Sequence, residues 1–209
     1  MAKNKNIEGD NAKENEGFRL LKEAFKEKEG IEIIKNEDRE TQLKGIDFEF
    51  DMGGKHRICD DKFAADYINK HLPTFCLELA SKPTSGIGEY KKGWFIDEEK
   101  VTDTYLFKWL DNGKMEVIVV DRKRLTDEIL KKGWTLESLY DHALKIGSGQ
   151  EREGYKDGLK FSVAKYKPEK GVTIILTRDF YRRICDFAKT YDVDDTEMLR
   201  LCEKYKSRW

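Results

Sequence analysis

Apolar and polar positions follow two rhythms along the chain, and the switches between them mark most of its elements. Phe18, Leu21, Ala24 and Phe25 recur at helical spacing on a charged stretch, which predicts a helix from about Gly17 to Gly30. Residues 31–35 predict a short strand. Ile46, Phe48 and Phe50 then alternate with Asp47, Glu49 and Asp51, as in a strand with one apolar and one acidic face. Gly53-Gly54 is a two-residue hairpin signal, so residues 55–63 are expected to return as the partner strand. Another strand is expected over 74–80, a loop over 82–92, and a return to the core at 93–96. Residues 103–110 carry Tyr105, Leu106, Trp109 and Leu110 at a spacing that fits helix or strand.

The second half continues with a buried strand over 115–120 and helices over 126–132 and 136–146, the latter ending at Gly147. A loop over 147–158 leads to a hairpin, 159–166 with 172–176, around Pro168 and Gly171. A helix over 178–189 follows, with Ile184, Phe187, Ala188 and Tyr191 as its core stripe, and a last short helix follows Asp194. This order predicts an α/β fold with a mixed sheet (α+β), formed by one domain over 17–209. Residues 1–16, polar and without an apolar stripe, are expected to be a disordered leader.

Composition narrows the function classes. The chain has 209 residues, with 40 Lys+Arg against 41 Asp+Glu, a formal charge of −1. That balance argues against a binder driven by a global positive field, and leaves room only for a local basic groove. Lys91, Lys92 and Trp94, with Arg122, Lys123 and Arg124, are the segments that offer one, with Trp94 or Tyr105 as a surface for a base. Cys59, Cys76, Cys185 and Cys202 form no CxxC pair, and with His56, His71 and His142 they make a poor zinc set. No apolar run is long enough for a transmembrane helix and no secretory signal opens the chain, so a cytoplasmic location is expected. Ser85-Gly86-Ile87-Gly88 lacks the lysine and hydroxyl of a phosphate loop and reads as a plain loop.

The chemistry concentrates in the hairpin. With Gly53 and Gly54 as the turn, cross-strand partners sum to 107, which sets Asp47 opposite Asp60 on one face. Lys62, two residues on, shares that face. Directly opposed carboxylates repel unless something positive lies between them, and a divalent cation with oxygen ligands suits the pair. A bulge in the returning strand would substitute Asp61 for Asp60.

An N-terminal helix, a strand bearing Gly45-Ile46-Asp47, a hairpin and then Asp60-Asp61-Lys62 resembles the PD-(D/E)xK nuclease superfamily, with Ile46 in place of the proline. The resemblance spans about residues 17–120 and leaves 121–209 as a helical and hairpin extension. It implies a restriction-endonuclease-like core and a Mg²⁺-dependent nuclease, with Mn²⁺ as a substitute. The implied metal ligands are Asp47 and Asp60 (or Asp61), with Lys62 serving the hydrolytic water. Gln42 and Glu78 resemble accessory positions. DNA is the favoured partner, and a homodimer fits an enzyme that cuts both strands. Two rivals stand beside this reading: a nuclease-like domain that binds nucleic acid or protein without catalysis, and a merely solvated acidic face.

Overall fold

The first helix starts well before its apolar stripe. The computed structural model describes residues 2–83, 88–164 and 169–205. In it α1 spans Ala2–Ala24 and runs into a π turn, Phe25–Glu29, closed by Gly30 at φ 67°. The stretch expected as a leader is therefore helical. Small residues dock it: a Cβ on Gly17 would lie 2.6 Å from the Phe63 ring, and one on Gly9 would lie 2.9 Å from Tyr205. The first half of the helix shows no apolar stripe and is seated at Gly9, which is why that polar sequence reads as unstructured.

Next come β1 (Ile34–Lys35), α2 (Arg39–Leu43), β2 (Phe48–Met52) and β3 (Lys55–Phe63). Gly53 and Gly54 both adopt positive φ, 61° and 73°, as a two-residue turn of this hand requires. The expected register holds: Phe48 pairs with Cys59 and Met52 with Lys55, with no bulge between. After β4 (Thr74–Pro83) and β5 (Lys91–Lys92), the segment at 93–96 buries Phe95 and Ile96 as expected. The expected loop at 82–92 is thus strand at both ends. Ser85, Gly86 and Ile87 of the glycine-containing loop lie outside the described residues.

The ambiguous stretch at 103–110 is a strand, β6 (Thr104–Asp111), followed by β7 (Lys114–Asp121). Thr104 to Leu110 are all buried. A strand covered on both faces loses the alternation that would identify it. Then follow α3 (Arg122–Leu130), α4 (Leu136–Ser148), β8 (Gly154–Lys156), β9 (Leu159–Ala164), β10 (Glu169–Thr177), α5 (Arg178–Ile184), β11 (Phe187–Asp192) and α6 (Thr196–Lys204). Helix α4 does not stop at Gly147. It runs to Ser148 and is capped by Gly149 at φ 81°.

One further expectation is corrected. The single helix over 178–189 divides at Cys185, where the backbone becomes extended. The Asp186 N–H then donates to Val119 O, and its carboxylate holds Arg57 at 2.9 Å and Arg124 at 2.8 Å. From there the chain pairs along β7 as an edge strand. Phe187 and Tyr191 reach the core with strand alternation, and the exposed Ala188 does not.

Two sheets result. The first has the order β1-β2-β3-β6-β7-β11 and is antiparallel except for the parallel pair β3–β6. The second, β5-β4-β10-β9-β8, is antiparallel throughout. Between them lies one core cluster, in which Tyr105, Phe107 and Trp109 of β6 meet Leu77, Leu79, Val172 and Ile174. On the outer face of the first sheet a second cluster joins Leu20, Leu21 and Phe25 to Phe48, Phe50, Leu106 and Val117. The mixed α+β class expected from the sequence is what the structure shows. Among the described residues no helix is long and apolar enough to cross a membrane.

Candidate functional site

Asp47 sits at the threshold of β2, pinned through its backbone on both sides. Its N–H donates to Cys59 O at 2.9 Å, and its carbonyl accepts from the Asn36 N–H at 2.9 Å. Phe48 and Cys59 belong to the outer cluster, so Asp60 faces the other way, toward the space between the sheets, and Asp47, one residue before β2, lies beside it. Asp60 is 5% exposed, and its Oδ1 lies 2.6 Å from Lys62 Nζ. Asp47 Oδ2 accepts the backbone N–H of Asp61 at 2.7 Å. The hairpin therefore brings Asp47, Asp60 and Lys62 together.

The electrostatics follow from burying like charges side by side. Burial, and then the neighbouring Asp60 carboxylate, push the Asp47 carboxyl up to about 7 against the help of the Asp61 N–H. Burial works against the Lys62 ammonium, but Asp60, Asp47 and Asp61 outweigh it and hold the group above its ordinary value. The indole of Trp94 covers the lysine, with Nζ 4.3 Å from the ring centroid.

The other expected residues take different places. Asp61 points to the opposite face of β3, where its Oδ2 pairs at 2.7 Å with Lys108, a fully buried lysine on β6. The pairing from Phe48 to Met52 is regular, and Asp47 just before it has both Asp60 and Asp61 as neighbours; the Asp61 side chain serves the layer under α1, where Glu14 lies within its field. Gln42 is on α2 and donates through Nε2 to Asn36 O at 2.8 Å. Since Asn36 in turn holds Asp47, Gln42 supports the acidic residue from behind. Glu78 lies on β4 in the second sheet, opposite Thr173, with its side chain against Gly93 and Gly171. Its backbone carbonyl accepts from the Phe95 N–H at 3.2 Å, so Glu78 reaches the site through the segment that carries Trp94.

The expected base-stacking surfaces are already in use. Tyr105 is fully buried, and Trp94 packs edge-on against it at 5.2 Å while facing Lys62. The basic segments also have neighbours: Lys92 with Glu98, Lys123 with Asp127, and Arg122 with the carbonyls of Asp97 and Lys100. His56 bridges Glu49 and Asp51 at the surface, and His71 lies by Asp111, in keeping with surface roles.

Trp94, Tyr105 and Lys108 were not singled out as site neighbours by sequence. Lys108 carried a readable signal, because one charge inside the run Tyr105 to Leu110 needs a buried partner. Tyr105 lies next to Asp60 in the parallel pair, and its buried hydroxyl has no hydrogen-bond partner among the described residues.

The donor set fits Mg²⁺ in one specific way. Among the described residues no three His, Cys, Asp or Glu side chains cluster as metal ligands. Two adjacent carboxylates remain, and Mg²⁺ is commonly held by one or two carboxylates with water and substrate phosphate completing its shell. No family model, curated protein or solved structure matches the chain.

Proposed function

We propose that this protein is a Mg²⁺-dependent nuclease that hydrolyses phosphodiester bonds, with DNA as its favoured substrate. The observation that carries the reading is the convergence of Asp47, Asp60 and Lys62 at the open end of one hairpin. Asp47 and Asp60 would hold the metal. When bound, it supplies Lewis-acid stabilisation of charge on the phosphoryl oxygens. Lys62 places a fixed positive charge where negative charge develops on the attacking water and the phosphate. The Asp61 N–H and the backbone of Asn36 hold Asp47 in position, so little rearrangement accompanies reaction.

The test is incubation with single- and double-stranded DNA and RNA in Mg²⁺, Mn²⁺ or chelator. Cleavage should need the metal, and Asp60→Ala or Lys62→Ala should lower it at least about a hundredfold. Metal-independent cleavage, or full activity in either variant, rejects the assignment. One observation favours the rival of a non-catalytic binding domain: Lys62 is already neutralised by Asp60 and covered by Trp94. That reading gains if nucleic acid binds equally well in chelator and is never cut.

A further inference from the structure

We propose that Trp94 is a positioning residue for Lys62: its indole face fixes the ammonium beside Asp60, so the segment carrying it completes the site. The kinetic part of this inference rests on the hydrolytic reading above; the contact itself does not. Lysine has a long, flexible side chain, and an ion pair alone leaves its end free to swing about the carboxylate. Here the ammonium has a second restraint, with Nζ 2.6 Å from Asp60 Oδ1 and 4.3 Å from the Trp94 centroid. A cation over an indole is held most strongly when both are withdrawn from water, and the Lys62 side chain is only 18% exposed.

The indole is itself fixed in place. Its edge rests on Tyr105 at 5.2 Å. On one side of it, Gly93 donates to Leu79 O at 2.9 Å, and a Cβ there would come 2.4 Å from Glu78 O. Any other residue at 93 would move the segment. On the other side, the Arg122 guanidinium donates to Asp97 O at 2.7 Å and to Lys100 O at 2.5 Å. Trp94 thus sits on a strap clamped at both ends, with its face turned to the one lysine of the acidic pair. This geometry turns the ring face to Lys62.

The experiment separates ring face from bulk. Trp94→Leu keeps apolar cover and loses the π face, whereas Trp94→Phe keeps both. Progressively fluorinated tryptophans at position 94 keep the indole shape while draining its face of negative charge. In the wild type the Lys62 ε-methylene protons should appear upfield in the NMR spectrum through the ring current. This signature should persist in Trp94→Phe and vanish in Trp94→Leu. On DNA with Mg²⁺, Trp94→Leu should lose about tenfold in kcat with KM nearly unchanged, and Trp94→Phe should recover most of it. The fluorinated series should lower kcat step by step. An ordinary lysine spectrum in the wild type overturns the proposal. So does equal kcat across the Leu, Phe and fluorinated proteins. If the ring-current signature is present but the wild type cuts nothing, the Trp94–Lys62 contact stands and the nuclease reading falls.

Discussion

Replacing Asp47 by Asn removes one of two buried charges while keeping an oxygen that can accept the Asp61 N–H. The wild-type carboxyl titrates at about 7 in the fold, and near 3.8 when free. Below pH 4 the group is neutral in both states and costs nothing. Between pH 4 and 7 the folded protein keeps a proton that the unfolded chain releases, so stability falls as pH rises. Above pH 7 the full penalty is present. Each pH unit between the two values is worth about 1.4 kcal/mol, which sets a ceiling near 4 kcal/mol; partial solvent access at Asp47 reduces it to about 2 kcal/mol. Urea denaturation in chelator from pH 5 to pH 8.5 reads this directly. Asp47→Asn should already exceed the wild-type unfolding free energy by part of this amount at pH 5 and by about 2 kcal/mol at pH 8, the gap widening between the two. Parallel curves at all pH values would refute the claim that these two carboxylates crowd each other.

The same pair predicts the response to metal: millimolar Mg²⁺ or Mn²⁺ should raise the wild-type melting temperature, and the rise should vanish in Asp47→Asn, as thermal-shift measurements would read. Lys108→Met should destabilise by about 3–5 kcal/mol, because it strands the buried Asp61 carboxylate; adding Asp61→Asn should restore much of that loss in chemical denaturation. Gly93→Ala should lower both melting temperature and cleavage, since its Cβ would collide with Glu78 O at 2.4 Å; an unchanged melting temperature would show that the strap yields freely.

The hairpin was legible because its signals are local. Glycines at the turn and strict alternation on either side of it set the 107 register from Phe48–Cys59 to Met52–Lys55, and Asp47 follows at its end beside Asp60. The same alternation puts Asp60 and Asp61 on opposite faces of β3, Asp60 with Lys62 and Asp61 with Lys108. Long-range pairing hid the rest. Trp94 reaches Lys62 because β4 brings its segment across the first sheet, and no spacing in the sequence encodes that approach. Glu78 was expected as an accessory position only through the nuclease resemblance, and its strand belongs to the other sheet. At 187–191, Phe187 and Tyr191 fit one face of a strand as well as a helical stripe, and the extended turn at Cys185 decides between them. In α1 the stripe from Phe18 to Phe25 announced the second half of the helix, while the first half, seated at Gly9 against Tyr205, carried no such stripe.

The parallel pairing of β3 with β6 also bears on how the protein is made. A parallel pair cannot close through a hairpin, so the chain leaves β3, crosses the second sheet as β4 and β5, and returns along the strap to β6. The longest partner of β4 is β10, which starts only at Glu169. During synthesis from the N-terminus, Asp47, Asp60 and Lys62 therefore leave the ribosome long before the strand that anchors the crossover. The hairpin can form at once, but the scaffold holding Trp94 over the lysine must wait for residues near the far end of the chain.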